Sequence, residues 1–324
     1  MSNAASSSPA RCLICLVLAW GCSSPPPPAS PATDPSAVLG PEEGEGFSAG
    51  VDAISAGDFE KARGIFEKLA SEQPANAKAH FYLGVARQNL DQREAAVESY
   101  EKALSLDPKL TEAAVNLTAA LLDAGDAERA APIVERALAS DPKHPALLYN
   151  RALAASMLGK KQEAVAYYRE ALAADPNNGE IKYGYAEALV AAGSTTEAQS
   201  LLAELVQSDD VAVLASSARL LGRLDDFGGC IQALTRAIER QASAELYVAR
   251  GLCQHGKRDE AQALADFQRA IAADPSYAPA HYYAGVHLKS QGKKKEAKAA
   301  LARAVELAGD SGVGKAAQRA LDGL

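Results

Sequence analysis

Five cysteines and five histidines are the side chains of this 324-residue chain best suited to nucleophilic or metal chemistry, and their spacing favours neither. His80, His144, His255, His281 and His287 are scattered, with no pair at metal-ligand spacing beside a carboxylate. Cys253 and His255 are close in sequence, but two residues apart on a helix they point to different sides. The sequence holds no glycine-rich phosphate loop, serine elbow or zinc signature. Many acidic residues stand beside Lys or Arg, as in Glu67-Lys68 and Glu101-Lys102, and read as ordinary solvated positions. No catalytic residue, cofactor, metal or small-molecule substrate is therefore expected. Cys230 occupies a small-residue slot and Cys253 lies in an apolar stretch. Both are expected as buried packing thiols, with a disulfide between them the lesser alternative.

Cys22 has a different setting. It follows Cys12–Trp20, a nine-residue apolar run behind Arg11. That run is too short to span a bilayer as a helix and reads as the core of a secretory signal. Ala19-Trp20-Gly21-Cys22, followed by Ser23-Ser24 and the run Pro25–Pro28, resembles a bacterial lipoprotein signal. The resemblance implies that residues 1–21 are a signal peptide, and that Cys22 becomes a lipid-modified N-terminus anchoring the chain to a membrane. Ser23 resembles the residue that follows the cysteine in lipoproteins sorted to the outer membrane. The implied place is the bacterial cell envelope, at the outer membrane and facing the periplasm. A plain signal peptide and an unprocessed terminus are the other readings of these residues. Residues 22–42 are rich in Pro and Ser with little to bury, the composition of a disordered tether.

Beyond the tether the chain repeats. Pro74, Pro108, Pro142 and Pro176 recur every 34 residues, each closing a phrase of small, bulky, then small or apolar residues. Ala96, Tyr100, Ala103 and Pro108 form one such phrase, and Ala164, Tyr168, Ala171 and Pro176 another. Small residues let two helices approach, and the bulky residue a turn later fills the space between hairpins. Proline cannot continue a helix, and the residue before it is pushed out of helical geometry, a place held by Asp107, Asp141, Asp175 and Asp274. Gly57, Gly125, Gly159, Gly193 and Gly292 are placed to turn five hairpins. A sixth repeat looks eroded, with a short first helix. Pro275 follows Pro176 by 99 residues, three fewer than three repeats. After Asp310 a last helix is expected, starting no earlier than about Lys315, with Ala317, Leu321 and Leu324 as its apolar stripe.

This phrase and period resemble the tetratricopeptide repeat. The resemblance covers residues 43–309 and implies an all-α, right-handed superhelical solenoid of about eight helix hairpins. Residues 310–324 would form its C-terminal capping helix. One hairpin cannot bury its apolar face alone, but stacked ones share a core.

The resemblance implies a function in protein or peptide binding, with the first helix of each hairpin lining a concave groove. The matching positions hold Phe81, Tyr82, Asn116, Tyr149, Asn150, Tyr183, Tyr282 and Tyr283. Aromatic rings offer large contact area, and an amide can both donate to and accept from a peptide backbone. Asn116 and Asn150 are expected to stack as a ladder. The same side chains would alternatively pack between hairpins. The cations with which chaperone-binding members hold a terminal carboxylate are missing: of Phe81, Val85, Asn116, Ala146 and Asn150, only Asn116 fits. An apolar or internal peptide segment suits these positions better. The chain carries 33 basic and 41 acidic residues, a net −8, and its one basic cluster, Lys293-Lys294-Lys295, falls in a turn. No nucleic acid partner is expected, because neutralising phosphates takes clustered cations.

Overall fold

Where the sequence sets Asp before Pro, the backbone leaves the helix. Asp107, Asp175 and Asp274 have φ/ψ of −130°/94°, −136°/83° and −140°/98°, the extended geometry a following proline ring enforces. In the computed structural model, which describes residues 45–324, these breaks and the turns between them cut the chain into 17 helices. No strand occurs among the described residues.

The described chain divides into two compact blocks, one ending at Ser194 and the other beginning at Thr195. The first contains α1 (Glu45–Ser55), α2 (Phe59–Glu72), α3 (Ala77–Asn89), α4 (Arg93–Leu106) and α5 (Thr111–Asp123). It continues with α6 (Ala127–Leu138), α7 (Pro145–Met157), α8 (Lys161–Ala174) and α9 (Gly179–Ala192). The second contains α10 (Thr195–Leu205), α11 (Val211–Arg223), α12 (Phe227–Arg240) and α13 (Ala244–Gly256). After these come α14 (Glu260–Ala273), α15 (Ala278–Ser290), α16 (Lys294–Ala308) and α17 (Gly312–Asp322). Within each block consecutive helices pack as antiparallel hairpins. First helices also touch first helices, as α5 meets α7 and α13 meets α15.

The small-and-bulky phrase works as a lock. Tyr100 of α4 has no solvent exposure and lies against Gly84 of α3, where an added methyl would come within 2.5 Å of Cε1. Phe66 fits over Gly50, and Phe267 over Gly251, in the same way. Burying each such ring contributes about 1.5–3 kcal/mol. The five predicted turn glycines all have positive φ, from 71° to 88°. The remaining three turns of this kind place Asp91, Asp225 and Arg258 in the left-handed region at φ 58°, 60° and 67°.

Three local expectations are corrected. The sixth repeat is not shortened in its first helix: α11 has 13 residues and α12 has 14. The missing residues come out around α10, which has only 11, and out of the link before α13. Asp210, standing in for the proline, instead caps α11 by accepting from the backbone N–H groups of Ala212 and Val213. The terminal helix begins at Gly312, before Lys315, because Ser311 caps it through Gly314 N–H and Gly314 fits beneath the Gly309 carbonyl. Third, Cys230 of α12 and Cys253 of α13 are joined as a disulfide, with Cα atoms 6.2 Å apart, where packing thiols were expected. Both sulfurs point into one buried seam between neighbouring helices, which spacing along the chain could not reveal.

Candidate functional site

The residues predicted to face a peptide lie inside the structure. Phe81, Tyr82 and Asn150 are fully buried, and Asn116, Tyr149 and Tyr183 are 2% exposed. Tyr283 is buried and Tyr282 half-buried. The physical reason is that each first helix is enclosed by its own partner and by neighbouring hairpins, so residues 81–86 and 113–119 are buried without a break. Tyr82 stacks on Phe66 of the preceding hairpin at 5.2 Å and takes Phe47 edge-on at 5.3 Å. Tyr149 meets Tyr168 edge-on, and Tyr283 leans against Phe267. Burial pushes the phenols of Tyr100, Tyr149 and Tyr168 well above their usual range, so they stay neutral.

The two asparagines bond to different partners and form no mutual ladder. Asn150 Nδ2 donates to Thr118 Oγ1 at 2.9 Å and to the Val115 carbonyl at 3.3 Å, which ties α7 to α5. Asn116 Nδ2 reaches Tyr100 OH at 3.5 Å, and that hydroxyl donates to Gln88 Oε1 at 2.7 Å. These amides fix the register between hairpins.

An open feature survives in the first block. The starts of α7 and α9 and the link between α8 and α9 enclose a cleft of about 180 Å³. Ala146, Tyr149 and Ile181 give it an apolar wall, and Asp175, Asn178 and Glu180 an acidic, polar rim. Tyr149 is the predicted binding residue that borders it. Asn178 both caps α9 and donates to Asp175 Oδ2 at 3.0 Å, so the rim is held in place. Cys22 and the whole signal and tether lie outside the described residues. Among the described residues no helix is long and apolar enough to cross a membrane.

The second block gathers residues that sequence spacing left apart. His255 near the end of α13, Glu260 at the start of α14 and His287 of α15 converge, with ligand atoms within 4.8 Å of one another. Burial pushes the His287 imidazole below its usual value, against the pull of Glu260. Separations of five and 27 residues give no periodic signal.

Enclosed first helices, ring-over-glycine locks and Asp-Pro exits define a helical-hairpin repeat protein. The family profile described as Tetratricopeptide repeat matches residues 51–211, and a second profile of that description matches residues 216–278 and 255–312. The chain belongs to the tetratricopeptide repeat family. A solved tetratricopeptide repeat protein from Parabacteroides merdae is similar at 21% identity, over 71% of this chain and 92% of that one, with a TM-score of 0.57. Yeast Tom70 is similar at 16% identity, over 96% of this chain and 69% of that one, with a TM-score of 0.58. At such identities the likeness concerns the fold. No curated protein matches the chain significantly.

Proposed function

We propose that this chain is a scaffold gathering protein partners at the bacterial cell envelope, held to the outer membrane by a lipid on Cys22 and facing the periplasm. Repeats of this family generally act as protein-interaction scaffolds and typically carry no catalysis of their own. The observation that carries the reading here is the cleft between α7 and α9. Its apolar wall suits an aliphatic or aromatic side chain, and Asp175 and Glu180 suit a cation beside it. The partner is a protein segment that combines the two, and assembly of an envelope complex is the role such a scaffold would serve. The disulfide supports an exported chain, because such bonds persist in oxidising compartments and are rare in the cytosol.

Two experiments test the proposal. Partners crosslinked to the wild-type chain in intact cells should be lost with Ala146→Arg, which fills the half-exposed cleft wall with a cation while sparing the core. Retention of every partner would remove the cleft from the account. Intact mass of the protein from its native membrane should show Cys22 as an acylated first residue, with the acyl mass absent in Cys22→Ala. An unmodified chain beginning near Met1 would leave a non-lipidated, soluble adaptor built from the same repeats.

A further inference from the structure

The structure assigns His255, Glu260 and His287 to a site for a divalent transition metal of the zinc type. His255 Nδ1 lies 3.0 Å from Glu260 Oε2, and His287 Nε2 touches that same oxygen. The two imidazoles face each other edge-on with centroids 5.3 Å apart. Three ligand atoms, each within 4.8 Å of the others, thus surround one point. A tetrahedral ion with bonds of about 2.0–2.2 Å needs ligand atoms roughly 3–3.5 Å apart, which small side-chain rotations supply here. Two imidazole nitrogens and a carboxylate oxygen suit zinc and its neighbours and suit calcium or magnesium poorly. The fourth position stays open to water or to a donor from a partner.

A simple hydrogen-bonded cluster accounts less well for the same atoms. His287 is 6% exposed, and its Nε2 is buried against the same Glu260 oxygen that His255 Nδ1 approaches, so two imidazole nitrogens converge on one acceptor. The residue is also out of place as packing. His287 is the tenth residue of its first helix, and at that position repeats two to five hold Ala86, Ala120, Ala154 and Ala188. The repeat therefore does not require a ring there. Phe267 backs the imidazole at 5.6 Å and fixes its plane. The side chains of His255 and Glu260 are 26% and 47% exposed, which gives an ion a way in from solvent. The ligands come from α13, α14 and α15, so a bound ion would pin the seventh repeat to the eighth.

The test uses the full chain without a histidine tag, stripped with a chelator and titrated first with Co²⁺ and then with Zn²⁺. One equivalent of Co²⁺ should bind with visible absorption and be displaced by Zn²⁺, with a Kd of roughly micromolar or below and a rise in melting temperature. His287→Ala restores the residue found at this position in four other repeats, so it should fold, and its melting without metal verifies that. It should weaken Zn²⁺ at least about tenfold and abolish the thermal shift. Glu260→Gln, which keeps the shape and removes the charge, should do the same. Failure of the wild-type chain to bind either ion at about 100 μM would overturn the assignment. So would equal binding by His287→Ala, which would place the ion elsewhere on the chain.

Discussion

Arg250 clasps Asp266 with two hydrogen bonds, Nε to Oδ2 at 2.7 Å and Nη2 to Oδ1 at 2.8 Å, and the carboxylate has no solvent exposure. Arg269 donates to Oδ1 as well, and Arg250 Nη1 reaches Thr235 Oγ1 at 3.1 Å, so α12, α13 and α14 meet at one buried charge. The bonded carboxylate raises the Arg250 guanidinium above its already high value. Removing one member strands the other charge away from water. Asp266→Ala should therefore cost about 3–5 kcal/mol, while the paired change Arg250→Met with Asp266→Leu should recover most of it. Urea unfolding of the three proteins measures both, and a single variant as stable as wild type would show the pair to be idle.

Gly84→Ala asks whether the lock beneath Tyr100 tolerates a methyl. The ring atom that would be struck is fully enclosed and has nowhere to retreat. Overpacking of this kind costs about 1–3 kcal/mol. Pairing it with Tyr100→Leu, which frees the space, should give less than the sum of the two losses. Strict additivity in thermal melts would mean that the contact is not a lock.

Arg258 offers the opposite sign. Its φ of 67° is a region that side chains with a Cβ enter at a cost and that the turns at Gly57 and Gly292 occupy freely. Arg258→Gly should stabilise the second block by about 0.5–1 kcal/mol after the extra freedom of the unfolded chain is deducted. Calorimetry would register this as a melting temperature about 1–4 °C higher. A lower value would indicate that the Arg258 side chain contributes more than its backbone loses.

Reduction should weaken the second block selectively. The disulfide closes a loop with a sequence separation of 23, which in the chain-entropy account is worth about 3 kcal/mol. Proteolysis with and without reductant should reveal faster cleavage near α12 and α13, and Cys230→Ser with Cys253→Ser should match the reduced protein. Indifference to reductant would mean the sulfurs are unpaired in solution.

The backbone plan was legible because it is written in short-range chemistry. Asp-Pro exits, turn glycines and rings at helical spacing each act within a few residues, and the 34-residue period repeats them. What went unread depends on neighbours from other hairpins. Tyr82 and Asn150 occupy groove positions in the repeat pattern, yet Phe66 and Thr118 enclose them from adjacent helices. Cys230 and Cys253, and likewise His255, Glu260 and His287, meet only because neighbouring helices press the same end of a hairpin together. The early start of α17 turned on one serine hydroxyl and on the room above a glycine.

The bond between Cys230 and Cys253 also sets how this chain would yield to force. Stacked hairpins can peel away one at a time, since each leans only on its neighbours. Drawn out by its ends, the array would lengthen in steps of about one hairpin. At α12 and α13 the step would stop short, because the chain between the two sulfurs cannot straighten while they are joined. A reducing environment would release that hidden length, making the reach of the array depend on the redox state around it.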